Sequence, residues 1–253
     1  MSQPTPGRFV WHDLMTTDRE ASKAFYADLL GWSYETWKPG ELDYPMLDAG
    51  GGPFGGMVPL DPGHGIPCNW QGYVHVADLD AALAHVPAAG GTVFVGATPI
   101  PEVGRFAVVG DPTGAAVSLM QPAGALPPEA PPTPGSVAWH ELQSTDLAAA
   151  APFYVDVLGW AFREQPVGEI VYGMFSADGT DVAGGITFPP GVEAPSHWLT
   201  YFHVEDVDAA LARAAELGAT TLWGPLDVEG IGRMAGLLDP LGAVFAVFRA
   251  AMA

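Results

Sequence analysis

The chain has 253 residues, with 29 acidic against 9 basic side chains, a net charge of −20 and 49% hydrophobic residues. That balance excludes a general nucleic-acid binder, which needs clustered Lys and Arg to neutralise phosphates, and disfavours an anionic membrane surface. A single cysteine, Cys68, excludes an internal disulfide framework and a thiolate-rich zinc site.

The length suggests two domains at ~100–200 residues each, or one large one. No apolar run approaches the ~18 residues of a membrane-spanning helix. The N-terminus has no charged region followed by an apolar core. These features predict a soluble cytoplasmic protein.

In chain order, Phe9 to Met15 reads as a strand and Asp18 to Leu30 as a helix. Thr17 and Glu20 have capping-box spacing, and Gly31 stands where a helix stops. Strands follow at Ser33 to Trp37, Tyr44 to Asp48 and Gly55 to Leu60. The pattern then restarts: strand Trp70 to Val76, helix Asp78 to Ala89, shortened by Pro87, then strands Thr92 to Val95, Arg105 to Val109 and Ala115 to Met120. A proline-rich linker follows, at residues 122–135.

After the linker the chain repeats itself. Trp11-His12-Asp13-Leu14 recurs as Trp139-His140-Glu141-Leu142, Phe25-Tyr26 as Phe153-Tyr154, and Leu30-Gly31-Trp32 as Leu158-Gly159-Trp160. Tyr73 and His75 recur as Tyr201 and His203, and Asp111-Pro112-x-Gly114 as Asp239-Pro240-x-Gly242, all at an offset of 128. A constant offset over this distance signals two copies of one module.

Alternation along the strands separates their faces. Gly72, Val74 and Val76 form the apolar face expected under a helix, which leaves Gln71, Tyr73 and His75 to line a cavity. By the same test Val117 and Leu119 are buried, and Ser118 and Met120 face the cavity. The second copy offers Tyr201, His203 and Phe248. On the first strand Trp11 and Asp13 share one face, His12 and Leu14 the other.

The half-repeats, the phrase Asp18…Phe25-Tyr26…Leu30-Gly31-Trp32 and the closing Asp111-Pro112-x-Gly114 resemble the vicinal oxygen chelate superfamily. That group includes glyoxalase I, bleomycin-resistance proteins and extradiol dioxygenases. The resemblance implies an α+β fold of tandem βαβββ modules with cup-shaped curved sheets, the first module at residues 1–121 and the second at 136–253. It also implies metal-ligand positions, and these fall on Trp11, Gln71 and Ser118 in one copy and on Trp139, Leu199 and Ala246 in the other. Trp, Leu and Ala cannot ligate a divalent ion, so no metal ligand is assigned. His12 and His140 sit one residue past the ligand position, on the face of Leu14 and Leu142, and read as structural.

Three readings of function remain, the third being an interaction protein that has lost its pocket. In the first, the chain is a small-molecule-binding member without the usual metal. It holds an apolar or aromatic ligand for sequestration, resistance or secondary metabolism. The lining residues are Trp11, Gln71, Tyr73, Ser118, Met120, Trp139, Tyr201 and Phe248. In the second, it is a glyoxalase-like or dioxygenase-like lyase, isomerase or oxygenase. Its acid–base groups are then Asp13 with His75 and Glu141 with His203, because a carboxylate can orient an imidazole near neutrality. No cofactor is expected, with Fe, Mn, Ni or Zn left open. The partner is a small molecule, not nucleic acid or membrane, and a homodimer is left open. Arg105 and Arg233 read as surface ion pairs with the abundant acids.

Overall fold

The computed structural model describes residues 5–38, 43–127, 130–167 and 170–251. The first copy contains β1 (Phe9–Thr16), α1 (Arg19–Leu30), β2 (Ser33–Trp37), β3 (Tyr44–Asp48), β4 (Pro53–Pro59), β5 (Asn69–His75), α2 (Leu79–His85), β6 (Thr92–Ile100), β7 (Gly104–Gly110) and β8 (Ala116–Pro122). The second contains β9 (Val137–Ser144), α3 (Leu147–Leu158), β10 (Ala161–Val167), β11 (Ile170–Ala177), β12 (Thr180–Thr187), β13 (His197–His203), α4 (Val207–Glu216), β14 (Thr220–Val228), β15 (Gly232–Leu238) and β16 (Val244–Ala250). The fold is α+β, and the tandem βαβββ order read from the sequence is the one adopted. Among the described residues no helix is long and apolar enough to cross a membrane.

An aspartate starts every α-helix. Asp18, Asp78, Asp146 and Asp206 have extended backbones, and each carboxylate accepts from a backbone N–H of the first turn. This satisfies donors that the helix itself cannot pair. The cap of α1 is therefore Asp18, not the Thr17 of the capping-box reading, because the carboxylate reaches both Glu20 N and Ala21 N. Gly31 closes the helix at φ 73° as expected, a left-handed conformation that glycine adopts without cost.

Each βαβββ run forms four neighbouring strands, ordered β2-β3-β4-β1, β5-β8-β7-β6, β10-β11-β12-β9 and β13-β16-β15-β14. The first and last strand of each run are parallel neighbours and the other pairs are antiparallel.

Two compact units result, and each draws on both copies. One comprises Met1–Trp11, Gln71–Glu129 and Trp139–Trp198; the other His12–Trp70, Ala130–Ala138 and Leu199–Ala253. In the first unit Val74, Val109, Val117 and Leu119 share a core with Leu142, Phe153, Tyr154, Trp160, Phe175 and Trp198. In the second, Leu14, Phe25, Tyr26, Trp32 and Trp70 share one with Phe202, Phe245 and Val247. Trp32, Trp70, Trp160 and Trp198 are thus core residues. The end of the linker is fixed within the second unit: Gly135 N donates to His203 O at 2.8 Å, and Trp32 Nε1 donates to Gly135 O at 2.8 Å.

Candidate functional site

Within the first unit, strands β5, β8 and β7 build a wall that is part polar and part aromatic. Their register sets Tyr73 beside Ser118 and His75 beside Met120. Phe106 lies opposite Met120, its ring 6.0 Å from that of Tyr73. Alternation puts Gln71 two residues before Tyr73 on the same face. Gln71 is only 8% exposed and Ser118 fully buried. Gln71 Nε2 and Ser118 Oγ have no hydrogen-bond partner among the described residues. The backbone of His75 pairs with Gly7 and Arg8. His75 also borders an open groove of ≈230 Å³, together with Asp78, His85 and Asp156.

The equivalent wall in the second unit has different chemistry. Tyr201 pairs with Ala246 and His203 with Phe248; Tyr201 lies 6.3 Å from Trp223, and His203 lies 6.0 Å from Phe248. Leu199 and Ala246 are fully buried. Burial pushes the His203 imidazole below its ordinary value.

The carboxylates find phenols. Tyr44 donates to Asp13 Oδ1 in the second unit. In the first unit Tyr172 is hydrogen-bonded to Glu141, Trp139 Nε1 donates to Tyr172 Oη at 3.0 Å, and Gln143 Nε2 donates to Glu141 Oε1 at 3.1 Å. A glycine makes each pair possible. Gly56 lies opposite Asp13, and Gly184 opposite Glu141. A Cβ there would come within 2.0 Å of Tyr44 Cζ and 1.8 Å of Tyr172 Oη. The tyrosine ring crosses the bare strand to reach the acid. Burial, followed by the Glu141 charge, raises the Tyr172 pKa, while the Trp139 bond lowers it. Tyr172 therefore keeps its proton and donates it in the hydrogen bond to Glu141.

Asp13 and His75 belong to different compact units, as do Glu141 and His203. What each unit gathers on its own is a carboxylate with a phenol. Tyr44, Tyr172, Gly56, Gly184 and Phe106 were not among the residues singled out from the sequence. The first four carried a usable signal, since Tyr44/Tyr172 and Gly56/Gly184 obey the 128-residue offset. Trp11 is half-buried on β1.

His12 and His140 each lie against an aromatic neighbour, Phe54 and Phe9. His12 is buried with Nδ1 3.1 Å from Phe54 O, and burial lowers its pKa to about 4. His140 stacks on Phe9 at 3.7 Å. Arg105 pairs with Asp80, and Arg233 with Asp208 and Asp227, as surface ion pairs.

A metal needs converging donors. Among the described residues no group of three His, Cys, Asp or Glu side chains gathers to hold one. The first unit's wall offers a neutral amide and a hydroxyl at Gln71 and Ser118, and these do not make a divalent-cation site.

Known proteins match nearly the whole chain. The glyoxalase/bleomycin resistance protein/dioxygenase superfamily model matches residues 136–247. A putative glyoxylase, CFP32, of Mycobacterium bovis is 36% identical over 98% of this chain and 96% of its own length. The anthracycline biosynthesis protein DauV of a Streptomyces species is 33% identical over 98% of this chain and 94% of its own. Among solved structures, the Mn(II)-bound glyoxalase of Novosphingobium aromaticivorans is similar in fold, with a TM-score of 0.63 and 19% identity over 98% of this chain and 83% of that one. The 2,3-dioxygenase LapB of Pseudomonas matches with a TM-score of 0.63 and 17% identity over 100% of this chain and 94% of its own.

Proposed function

Because the chain belongs to the glyoxalase/bleomycin resistance protein/dioxygenase superfamily, we propose that it binds a small aromatic organic molecule against the wall of Gln71, Tyr73, Phe106, Ser118 and Met120. The observation that carries this reading is the pair of buried, unpartnered polar atoms, Gln71 Nε2 and Ser118 Oγ, beside Tyr73 and Phe106. An aromatic surface with a few well-placed polar groups is the usual make-up of a small-molecule site. The likeness to a protein named for anthracycline biosynthesis supports a polycyclic aromatic ligand. One solved structure of similar fold is a Mn(II)-bound glyoxalase. At this wall the donors Gln71 and Ser118 do not fit a metal, and no step is assigned to one.

A second reading, proton-transfer catalysis, is favoured by a different observation: the phenol–carboxylate pairs Tyr44–Asp13 and Tyr172–Glu141. In that reading the carboxylate takes a proton from carbon and the phenol donates to the developing oxyanion.

Tryptophan fluorescence during titration with 1,4-dihydroxyanthraquinone tests the first reading. Saturable quenching at micromolar probe is expected, and a linear, unsaturated response would overturn it. Elemental mass spectrometry on the dialysed protein belongs beside it. About one equivalent of Fe, Mn, Ni or Zn would overturn the statement that the donors here do not fit a metal.

A further inference from the structure

We infer that the two copies are unequal in function: the first carries an anchor for a ligand carbonyl and the second does not, so one chain holds one ligand by this anchor. The inference rests on the binding reading above and names the ligand group that the wall selects.

At the 128-residue offset the aromatic and imidazole positions are kept, Tyr73 as Tyr201 and His75 as His203. The polar positions are not: Gln71 becomes Leu199, and Ser118 becomes Ala246. The backbone around them is the same, since Tyr73 pairs with Ser118 as Tyr201 pairs with Ala246, both in parallel register. Leu199 and Ala246 are fully buried and leave no polar atom to satisfy. Gln71 Nε2 and Ser118 Oγ are equally shut from solvent and do leave one each. A buried polar group without a partner costs about 1–3 kcal/mol. The second copy shows that the fold accepts apolar side chains at both points, so the first copy bears that cost for something other than folding.

The donor chemistry defines the missing partner. An amide nitrogen only donates, so Gln71 Nε2 calls for an acceptor oxygen, and the Ser118 hydroxyl can donate or accept. Ser118 lies beside Tyr73, two residues from Gln71, a diagonal of roughly 8 Å between Cα atoms. A glutamine side chain spans much of that distance. The two groups can therefore address one carbonyl oxygen, or a carbonyl and a neighbouring hydroxyl on the same ring. Tyr73 and Phe106 supply the aromatic surface for that ring. Because both atoms are buried, the ligand enters by displacing side chains of this wall. Met120, two residues from Ser118 on the same strand face, is unbranched and adaptable.

The test compares the chain with two double variants. Q71L/S118A copies the second copy into the first, and L199Q/A246S does the reverse. Isothermal titration with 1,4-dihydroxyanthraquinone is expected to give one equivalent per chain, at least tenfold weaker binding for Q71L/S118A, and undiminished affinity for L199Q/A246S. Two equal equivalents, or full affinity in Q71L/S118A, would overturn the anchor while leaving the binding reading intact. Absence of any binding to the unaltered chain would instead remove the binding reading. Melting temperatures without probe decide the anchor independently. Q71L/S118A is expected to melt higher than the unaltered chain, because two unsatisfied groups are gone. A lower melting temperature would show that both groups are already satisfied, and would overturn the inference whatever the probe does.

Discussion

The phenol of Tyr26 donates to Oδ2 of Asp239 at 3.0 Å, across 213 residues of sequence, and its oxygen accepts from Trp70 Nε1 at 3.1 Å. The same chain of bonds recurs in the other unit, from Trp198 to Tyr154 at 2.9 Å and from Tyr154 to Asp111 at 2.9 Å. Each carboxylate uses its other oxygen to hold its own turn: Asp239 Oδ1 accepts from Leu241 N and Ala243 N, and Asp111 Oδ1 from Thr113 N and Ala115 N. The Phe-Tyr of one copy is thus joined to the Asp-Pro-x-Gly of the other. Burial raises the Asp239 pKa, with the hydrogen bonds opposing, and burial followed by the Asp239 charge raises that of Tyr26.

Removing one hydroxyl from this chain strands two buried groups. Tyr26→Phe leaves Asp239 Oδ2 without its donor and Trp70 Nε1 without its acceptor. With each buried orphan costing about 1–3 kcal/mol, the variant is expected to lose roughly 2–6 kcal/mol in urea unfolding, and Tyr154→Phe a similar amount. A loss below about 0.5 kcal/mol, typical of a surface substitution, would mean that the bond does not help hold the two halves of the unit.

The fold was legible because its signals are local and doubled. Asp at each helix start, Gly31 and Gly159 at two helix ends, and strict alternation in the strands of Tyr73 and Tyr201 gave element type directly. The apolar face at Val74, Val117 and Leu119 is the core face in the structure. Which half-repeats share a core was not legible. Tyr26 meets Asp239 rather than Asp111, and two equal copies give alternation and capping no means of choosing. The phenol–carboxylate pairs escaped for a related reason. Tyr44 reaches Asp13 across a strand whose Gly56 has no side chain, and a face pattern read one strand at a time does not reveal a missing obstacle.

That missing obstacle yields a second prediction. Gly184→Ala puts a Cβ where the Tyr172 oxygen lies. The ring must leave Glu141 and Trp139, at an overpacking cost of about 1–3 kcal/mol. Near-UV circular dichroism should lose the signal of the ordered tyrosine–tryptophan pair. Combined with Tyr172→Ala, the cost of Gly184→Ala should shrink, because the atoms nearest the added Cβ all belong to that ring. A double-mutant cycle with coupling near zero would show that Gly184 is needed for some other reason.

The last prediction concerns acid. Burial holds the His12 pKa at about 4 in the folded chain, against 6.5 for a free imidazole, with the Phe54 carbonyl opposing only in part. The folded pKa is the lower one, so between these values the unfolded chain binds a proton that the folded chain refuses. Stability from this group is complete above about pH 6.5, falls as pH drops toward 4, and levels off below. A separation of this size corresponds to a loss on the order of 3 kcal/mol. The exposed aspartates with lowered pKa, such as Asp28 and Asp43, also lose stability in acid, but only below the ordinary carboxylate value, whereas Asp239, whose pKa burial raises, acts above that value and in the opposite sense. His197 and His203 are lowered as well, so the His12 share is read by difference. Urea midpoints measured at half-unit steps of pH should show a smaller slope in His12→Gln than in the unaltered chain over this window. Equal slopes would mean that the imidazole is protonated, or solvated, in the folded state.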